Sequence, residues 1–554
     1  MSDSTPSGTL LPSRHQPPLP TDRVILRSAP EAEAVPMDVL FVGGGPSGLA
    51  GAIELARLVK KDAESGGTLG PVEIGVLEKA GQLGEHCLSG AVMNPRALKE
   101  LFPNVPESDL PFRGPVTGEA VYVMTEASAF RIPTPPSMQN HGNRIASLCE
   151  VVRWMGEKAE ALGVNVLPGF PVASLLVEDG RVVGVRTVPA GQDRAGQGGE
   201  PATDLTAQVT VLSEGTRGML TQAWLGWQGI KSANPQIYAL GVKELWEVKK
   251  PLDRIIHTMG WPLPKDAFGG SFLYPMGGNQ VAIGLVVGLD YDNARLDVHR
   301  LLQRMKLHPL IRDILEGGEL VEWGAKTIPE GGYWSVPERR HGDGCLVVGD
   351  ALGLVDVPSL KGIHYAMQSG MEAARAIFAA LKAKDTSATG LAPYSKALDA
   401  SYVMDDLKKT RNMRLAFKKG FVGGGVRAGL MTLTGGAAFG RRISTPEDAG
   451  EPRTFGPQIE VPFDGKLTFS KLDAVYKSGN QTRDDVPSHL IVGKDVSAED
   501  AELYTHLCPA GVYERDGDKL IVNAPNCVDC KATDVLGPRW MPREGGSGPR
   551  YRGM

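Results

Sequence analysis

The sequence predicts a mixed α/β and α+β chain, and three observations carry that reading. Two strand–glycine–helix units, near residues 38–58 and 345–379, have the texture of one doubly wound sheet assembled from separated segments. A polar, Gly-rich loop at 191–203 lies between Val-rich strand candidates, as in a strand-dominated region. Three of the six cysteines gather after residue 507, beyond a Pro- and charge-rich stretch, and mark a small C-terminal unit.

Composition bounds the rest. At 554 residues the chain has room for several domains, and 42% hydrophobic with 22% charged residues excludes wholesale disorder. The 59 Lys and Arg against 64 Asp and Glu leave a net charge of −5, which argues against nucleic acid as a partner. Six cysteines are too few for a disulfide scaffold in a chain of this length. No purely apolar stretch reaches the roughly 18 residues of a spanning helix. Residues 1–36 are rich in Pro, Ser and Glu and read as a flexible tail. They lack the charged start and apolar block of a secretory signal, and Glu31 and Glu33 speak against a mitochondrial presequence.

The first unit runs from an apolar strand at 38–42 directly into GGGPSG at 43–48 and then into an Ala-rich helical pattern. Gly43 permits the tight turn, Gly45 lets a pyrophosphate approach the backbone, and Gly48 lets helix and strand pack closely. The helix N-terminus then faces the negative charge. A second strand at 72–77 ends on Glu78, placed to bind ribose hydroxyls; the hydrophilic insert 60–70 accounts for its distance from Gly48. This arrangement predicts a dinucleotide site. The late unit, CLVVGDA at 345–351, ends a strand on Gly349 and Asp350 before a helix, resembling the second fingerprint of glutathione-reductase-like flavoproteins, whose Asp holds the ribityl chain. The stretch VTVLSEG at 209–215, with Glu214 and Gly215, resembles their middle motif. FAD is therefore the expected dinucleotide. Asp350 also reads as a helix N-cap, a role compatible with the first. No second nicotinamide fold is expected, because the glycines at 423–425 follow KKG and not a strand, so NAD(P)H is not a predicted partner.

Near the C-terminus Cys508 precedes Pro509, and Cys527 and Cys530 form a CxxC. Ferredoxin-type clusters combine such a Cys-Pro arm with CxxCxxC. Here Thr533 stands where the fourth cysteine belongs. The spacing leaves open a three-cysteine [3Fe–4S] cluster, a [4Fe–4S] cluster with Thr533, Asp534 or water on one iron, or no cluster. Structural zinc normally takes four N or S ligands. Cys87, Cys149 and Cys345 lie in apolar or turn contexts and read as inert.

At this point the chain resembles the electron transfer flavoprotein–ubiquinone oxidoreductase family over nearly its whole length after residue 37. The matching stretches include LSGA at 88–91, WMGE at 154–157, LGVKELW at 240–246, GWPL at 260–263, GGSFLY at 269–274 and VVGLDY at 286–291. They continue with EGG at 316–318, CPAGVYE at 508–514, NC at 526–527 and the terminal Gly-Met. The resemblance implies a glutathione-reductase-like FAD domain, an inserted quinone-binding β-sheet domain and a C-terminal ferredoxin-like iron–sulfur domain. It implies a monotopic membrane enzyme with FAD and one [4Fe–4S] cluster that oxidises reduced electron transfer flavoprotein and reduces ubiquinone or menaquinone. It places Gly269 and Gly270 against the quinone, where the residues alone read as a β-bulge or turn. Cys508, Cys527 and Cys530 match three cluster ligands. The stretch before residue 362, usually Asn-Val-Pro-Lys, is DVPS at 356–359, and Asp356 is expected near the isoalloxazine.

The expected organisation is a tail at 1–36, FAD-binding segments at 37–135, 209–235 and 336–385, and a mixed segment at 136–208. A quinone-binding domain follows at 236–335, a helical membrane-surface segment at 386–443, a linker at 444–463 and the iron–sulfur domain at 464–554. Within 417–439, Val422, Val426, Leu430 and Leu433 share one helical face, with Lys418, Lys419, Arg427, Arg441 and Arg442 as cationic contacts to lipid. A buried core hairpin is the competing reading, and 92–102 is a second candidate insertion element. The expected location is the cytoplasmic face of a bacterial inner membrane, with the mitochondrial matrix side as the other option. Two other functions remain open: a geranylgeranyl-reductase-like flavoenzyme, and a flavin-bearing membrane scaffold whose electron entry is lost with Thr533.

Overall fold

The computed structural model describes residues 8–517 and 519–554, without the side chains of Lys419, Phe421 and Val422. Residues 1–7 of the expected tail, and Val422 and Lys419 of the expected membrane face, thus lie outside the described groups.

Val39–Val42 sits in the middle of a six-stranded sheet, between Ile74–Glu78 and Val209–Leu212. The parallel order extends to Asn165–Pro168 on one side and Cys345–Val347 on the other, where His341–Gly342 closes the edge antiparallel. Val39–Val42 and Val209–Leu212 are buried at every position, which is why both read as unbroken apolar runs. The Pro46–Glu64 helix packs along Ile363–Ala383, bringing the first and last glycine units together across the chain.

A seven-stranded sheet carries the inserted domain, in the order Glu319–Pro329, Tyr238–Glu247, Gln280–Gly288, Gly269–Pro275, Ile255–Gly260, Glu119–Met124, Ala129–Ile132. The last two strands correct the expected 37–135 segment. Glu119–Met124 pairs in parallel with Ile255–Gly260 along its whole length and so belongs to this sheet. The Val298–Lys306 helix lies behind it, burying Leu301, Leu302 and Met305. There Lys306 and Glu244, both fully buried, pair at 2.8 Å; Gln303 Nε2 and Trp246 Nε1 also donate to the Glu244 carboxylate.

Three sequence expectations are corrected here. Residues 8–36 are not a flexible tail: Thr9–Leu10 pairs with Arg453–Thr454, while Ile25–Leu26 and Val35–Pro36 form the two edges of a five-stranded sheet with Val172–Glu178, Arg181–Thr187 and Asp204–Thr206. Short edge pieces of this kind gain order from their partners' ladders and carry no periodicity of their own. The 444–463 stretch is likewise an ordered strap, anchored by the buried Arg453, whose Nη2 donates to Leu289 O and Asp448 O. The 92–102 stretch buries Ala97, Leu98 and Leu101 in the main core and offers no insertion element.

The C-terminal unit, with helices Lys471–Tyr476, Ala498–Leu507 and Ala532–Leu536 and two short two-stranded antiparallel sheets, shares one hydrophobic core with the seven-stranded sheet. Helices Ala388–Asp399, Tyr402–Thr410, Met413–Ala416 and Phe421–Leu433 fill the expected helical segment. The last exposes Val426 (63%), Leu430 (43%) and Leu433 (82%). No described helix is long and apolar enough to cross a membrane.

Candidate functional site

The first strand ends in a turn that only glycine can make. Gly43 has φ +116°, and a Cβ on Gly48 would stand 2.1 Å from Gly43 O, so helix and turn close on each other only without side chains. A Cβ on Gly45 would meet nothing within 4 Å; it would project into a cavity of about 370 Å³. That cavity runs from the glycine turn to the face of the seven-stranded sheet. Of the residues expected to hold FAD, Gly43, Gly45, Glu78, Glu214, Gly215 and Asp350 line it. Gly48 lies beneath the turn, and Gly349 backs onto Ser47, neither on the cavity wall.

The acids differ in what they can do. Glu78 Oε2 accepts from Gly44 N and Oε1 from Ala80 N, both at 2.9 Å, which fixes the carboxylate at the end of its strand with lone pairs left for ribose hydroxyls. Asp350, pushed up to about 6 by burial, faces the cavity beside the N-terminal turn of the last unit. Glu214 is different: its carboxylate accepts from Leu220 N, Thr221 N and Thr221 Oγ1, so it caps the Met219–Trp227 helix although the residue lines the cavity. An open glycine cradle with two accepting carboxylates fits the pyrophosphate, ribose and ribityl groups of FAD.

The far wall of the cavity comes from residues that no local motif announces. Tyr274 and Phe272 stack at 4.7 Å, and Tyr274 Oη sits 2.6 Å from His257 Nε2. Burial lowers His257 to about 3, so it stays neutral. Lys361 Nζ donates to Asn140 Oδ1 at 2.8 Å and is lowered to about 8 by burial; Lys243 is lowered to about 8 for the same reason. Only the convergence of separate strands places these groups together.

Gly269 and Gly270 do not line this cavity. They begin a strand whose partner Val286, and whose own Phe272, do. Cβ atoms there would meet Val286 O at 2.2 Å and Thr258 O at 2.9 Å, so close strand packing is sufficient reason for glycine. Asp356 itself is not on the cavity wall: its neighbours Val355 and Val357 reach the cavity, whereas Asp356 is buried with its carboxyl beside Ser359 and Thr410. The glycines at 423–425 lie inside the Phe421–Leu433 helix.

Cys508, Cys527 and Cys530 converge. All three are buried; burial, with the sulfurs of Cys508 and Cys527 adding to it, pushes the Cys530 thiol up, and burial takes Cys527 up to about 12. Backbone N–H groups nevertheless aim at each sulfur: Ala510 and Val512 at Cys508, Asp529 at Cys527, Ala532 at Cys530. Three buried sulfurs surrounded by donors are stable as thiolates only around positive charge, which a metal cluster supplies. The remaining cysteines are elsewhere, Cys87 and Cys149 beside one another and Cys345 within the parallel sheet. The cluster loop touches the cavity: Thr327 N donates to Cys530 O at 3.0 Å, and Lys531 Nζ donates to Thr216 O and Arg217 O at 3.1 Å. Thr327 and Lys531 themselves line the cavity, and burial beside Lys326 lowers Lys531 to about 7.

Two family models match, one described as ETF-QO, ubiquinone-binding, over residues 238–328, and one as electron transfer flavoprotein-ubiquinone oxidoreductase, 4Fe-4S, over 465–552. The chain is 38% identical to the electron transfer flavoprotein-ubiquinone oxidoreductase of Pseudomonas aeruginosa, over 95% of this chain and 100% of that one. The chain belongs to the electron transfer flavoprotein–ubiquinone oxidoreductase family. Family relatives also include the mitochondrial proteins of Caenorhabditis elegans (38% identical, 93% and 92% covered) and Homo sapiens (37%, 93% and 89%). Among solved structures, a geranylgeranyl bacteriochlorophyll reductase-like protein from Thermoplasma acidophilum shares the fold, with TM-score 0.55 at 18% identity over 73% of this chain and 92% of that one. The family match extends through the cysteine-bearing C-terminal unit. The chain is thus an oxidoreductase of a family with both an FAD domain and an iron–sulfur domain, and its residues fit both groups.

Proposed function

We propose that this chain accepts electrons from reduced electron transfer flavoprotein at its C-terminal iron–sulfur unit and passes them, by way of FAD, to ubiquinone at a membrane surface. The observation that carries the proposal is the shared wall: Thr327 and Lys531 hold the Cys530 loop and line the flavin cavity at once. FAD, when bound, supplies the step that joins one-electron arrival to two-electron quinone reduction.

The chain's own residues do the rest. Gly45 admits the pyrophosphate, Glu78 accepts ribose hydroxyls, and Asp350 accepts a ribityl hydroxyl. Quinone enters along the cavity face formed by Phe272 and Val286, next to Gly269 and Gly270 on the paired strands. Lys361 Nζ holds a proton below about pH 8, and the Tyr274 hydroxyl holds one against His257, so both can supply the reduced quinone. The exposed apolar face of Phe421–Leu433 seats the enzyme on lipid and brings the quinone pool to that face of the cavity.

Purified enzyme in ubiquinone-containing vesicles, supplied with reduced electron transfer flavoprotein, tests the reading. Quinol formation that requires the protein donor and is not driven by NADH supports it. Enzyme flavin that the donor does not reduce overturns it and leaves the scaffold, and flavin that the donor reduces while no quinone is turned over overturns the quinone step; menaquinone in place of ubiquinone identifies the acceptor.

A further inference from the structure

The iron–sulfur site has three thiolates and four corners. All six cysteines are placed, and the three that are not ligands lie in other parts of the fold. Thr533, the second residue of the Ala532–Leu536 helix, occupies the position that continues the CxxC spacing, with the Tyr513 side chain beside it and all three sulfurs acting on that phenol. The nearby carboxylates are committed elsewhere. Asp534 accepts from Arg217 Nε at 2.6 Å and from Trp540 N at 3.0 Å. Asp529 accepts from Trp540 Nε1, Arg543 Nη2 and Lys79 Nζ. His489, whose Nε2 has no partner among the described residues, has a ring nitrogen within 4.8 Å of both Cys527 Sγ and an Asp529 carboxylate oxygen, with its ring edge-on to Trp540. Among the described residues, the hydroxyls of Thr533 and Tyr513 are the side-chain oxygens beside that position, and a hydroxyl is a poor ligand for iron beside thiolate.

We infer that the corner facing Thr533 is a ferrous-iron site that loads and unloads reversibly, so that the chain interconverts a four-iron and a three-iron cluster. The inference rests on the iron–sulfur reading above. On oxidation, [4Fe–4S]2+ gives [3Fe–4S]+, free Fe2+ and one electron, which an oxidant such as ferricyanide accepts. In reverse, dithionite or the reduced protein donor supplies one electron to make [3Fe–4S]0, and Fe2+ then enters to restore [4Fe–4S]2+. A fourth thiolate would hold that iron through the cycle; a hydroxyl does not.

The test uses the full chain, purified anaerobically, with EPR and iron and acid-labile sulfide analysis. Ferricyanide with a ferrous chelator should remove one iron per cluster without loss of sulfide and give the near-isotropic signal of an oxidised three-iron cluster. Ferrous iron with dithionite should restore the lost iron and replace that signal by that of a reduced four-iron cluster. Thr533→Cys should keep all its iron through the same treatment, and Thr533→Val should lose it as readily as the natural chain. Two results overturn the inference while leaving the cluster reading intact: natural protein that retains four irons through oxidation, or nitrogen hyperfine coupling to a stable four-iron cluster that vanishes in His489→Ala. Protein with neither iron nor sulfide overturns the cluster reading itself.

Discussion

Replacing Val426, Leu430 and Leu433 together with serine tests the membrane face without touching the fold. The three side chains are 63%, 43% and 82% exposed and fall on one side of the Phe421–Leu433 helix. A fully transferred Val or Leu side chain is worth about 2 kcal/mol, so scaling by exposure gives about 4 kcal/mol for the set. That corresponds to a loss on the order of a thousandfold in partitioning to lipid. Sedimentation with phospholipid vesicles of mixed neutral and anionic headgroups measures it directly. The thermal midpoint should stay close to that of the natural chain, because none of the three side chains is buried. Quinone reduction should survive with a detergent-soluble short-chain quinone and fall with a vesicle-embedded one. Equal vesicle binding by the natural chain and the triple variant would refute the reasoning, as would a natural chain that does not bind at all.

Gly45→Ala and Gly48→Ala should separate cofactor binding from folding. The first meets open cavity and should lower flavin content at unchanged thermal midpoint, whereas the second drives a Cβ to 2.1 Å from Gly43 O and should lower both, by roughly 1–3 kcal/mol in stability. Flavin absorbance and thermal unfolding read the two effects. Lys361, lowered to about 8 by burial, carries its proton below that pH and loses it above; kcat for quinone reduction should therefore fall as pH rises through about 8, and Lys361→Met should remove that limb from the profile. Glu244→Gln leaves the fully buried Lys306 ammonium without its counter-charge and should cost about 3–5 kcal/mol in urea unfolding. Combining it with Lys306→Met should recover most of the loss.

The parts of the site that could be read from sequence are those written in contiguous residues. The strand–glycine–helix unit at 38–58 and the Gly349–Asp350 turn each carry their geometry locally, because the turn needs glycine at fixed steps whatever surrounds it. The cysteines were legible for the same reason. What stayed hidden depends on pairing between distant strands. Glu119–Met124 joins the seven-stranded sheet through a parallel ladder to Ile255–Gly260, and nothing in its own pattern distinguishes that from the neighbouring FAD segment. The short strands at 9–10, 25–26 and 35–36 are too brief for any period to register, so a Pro-rich composition suggested a tail. Lys361, Tyr274 and Lys531 reach one cavity from three separate segments. Asp356 shows the converse: its place in a motif suggested the cavity, yet the turn around Val357–Ser359 directs its carboxyl toward Ser359 and Thr410.

The most direct test of the relay is a single anaerobic turnover followed by absorbance and freeze-quenched EPR. Oxidised enzyme is mixed with one equivalent of reduced electron transfer flavoprotein and then with ubiquinone. The account predicts that the cluster signal changes and the enzyme flavin bleaches on the first mixing, and that the second restores both with formation of quinol. Flavin that stays oxidised while the donor is consumed, or a reduced enzyme that quinone does not reoxidise, would contradict it.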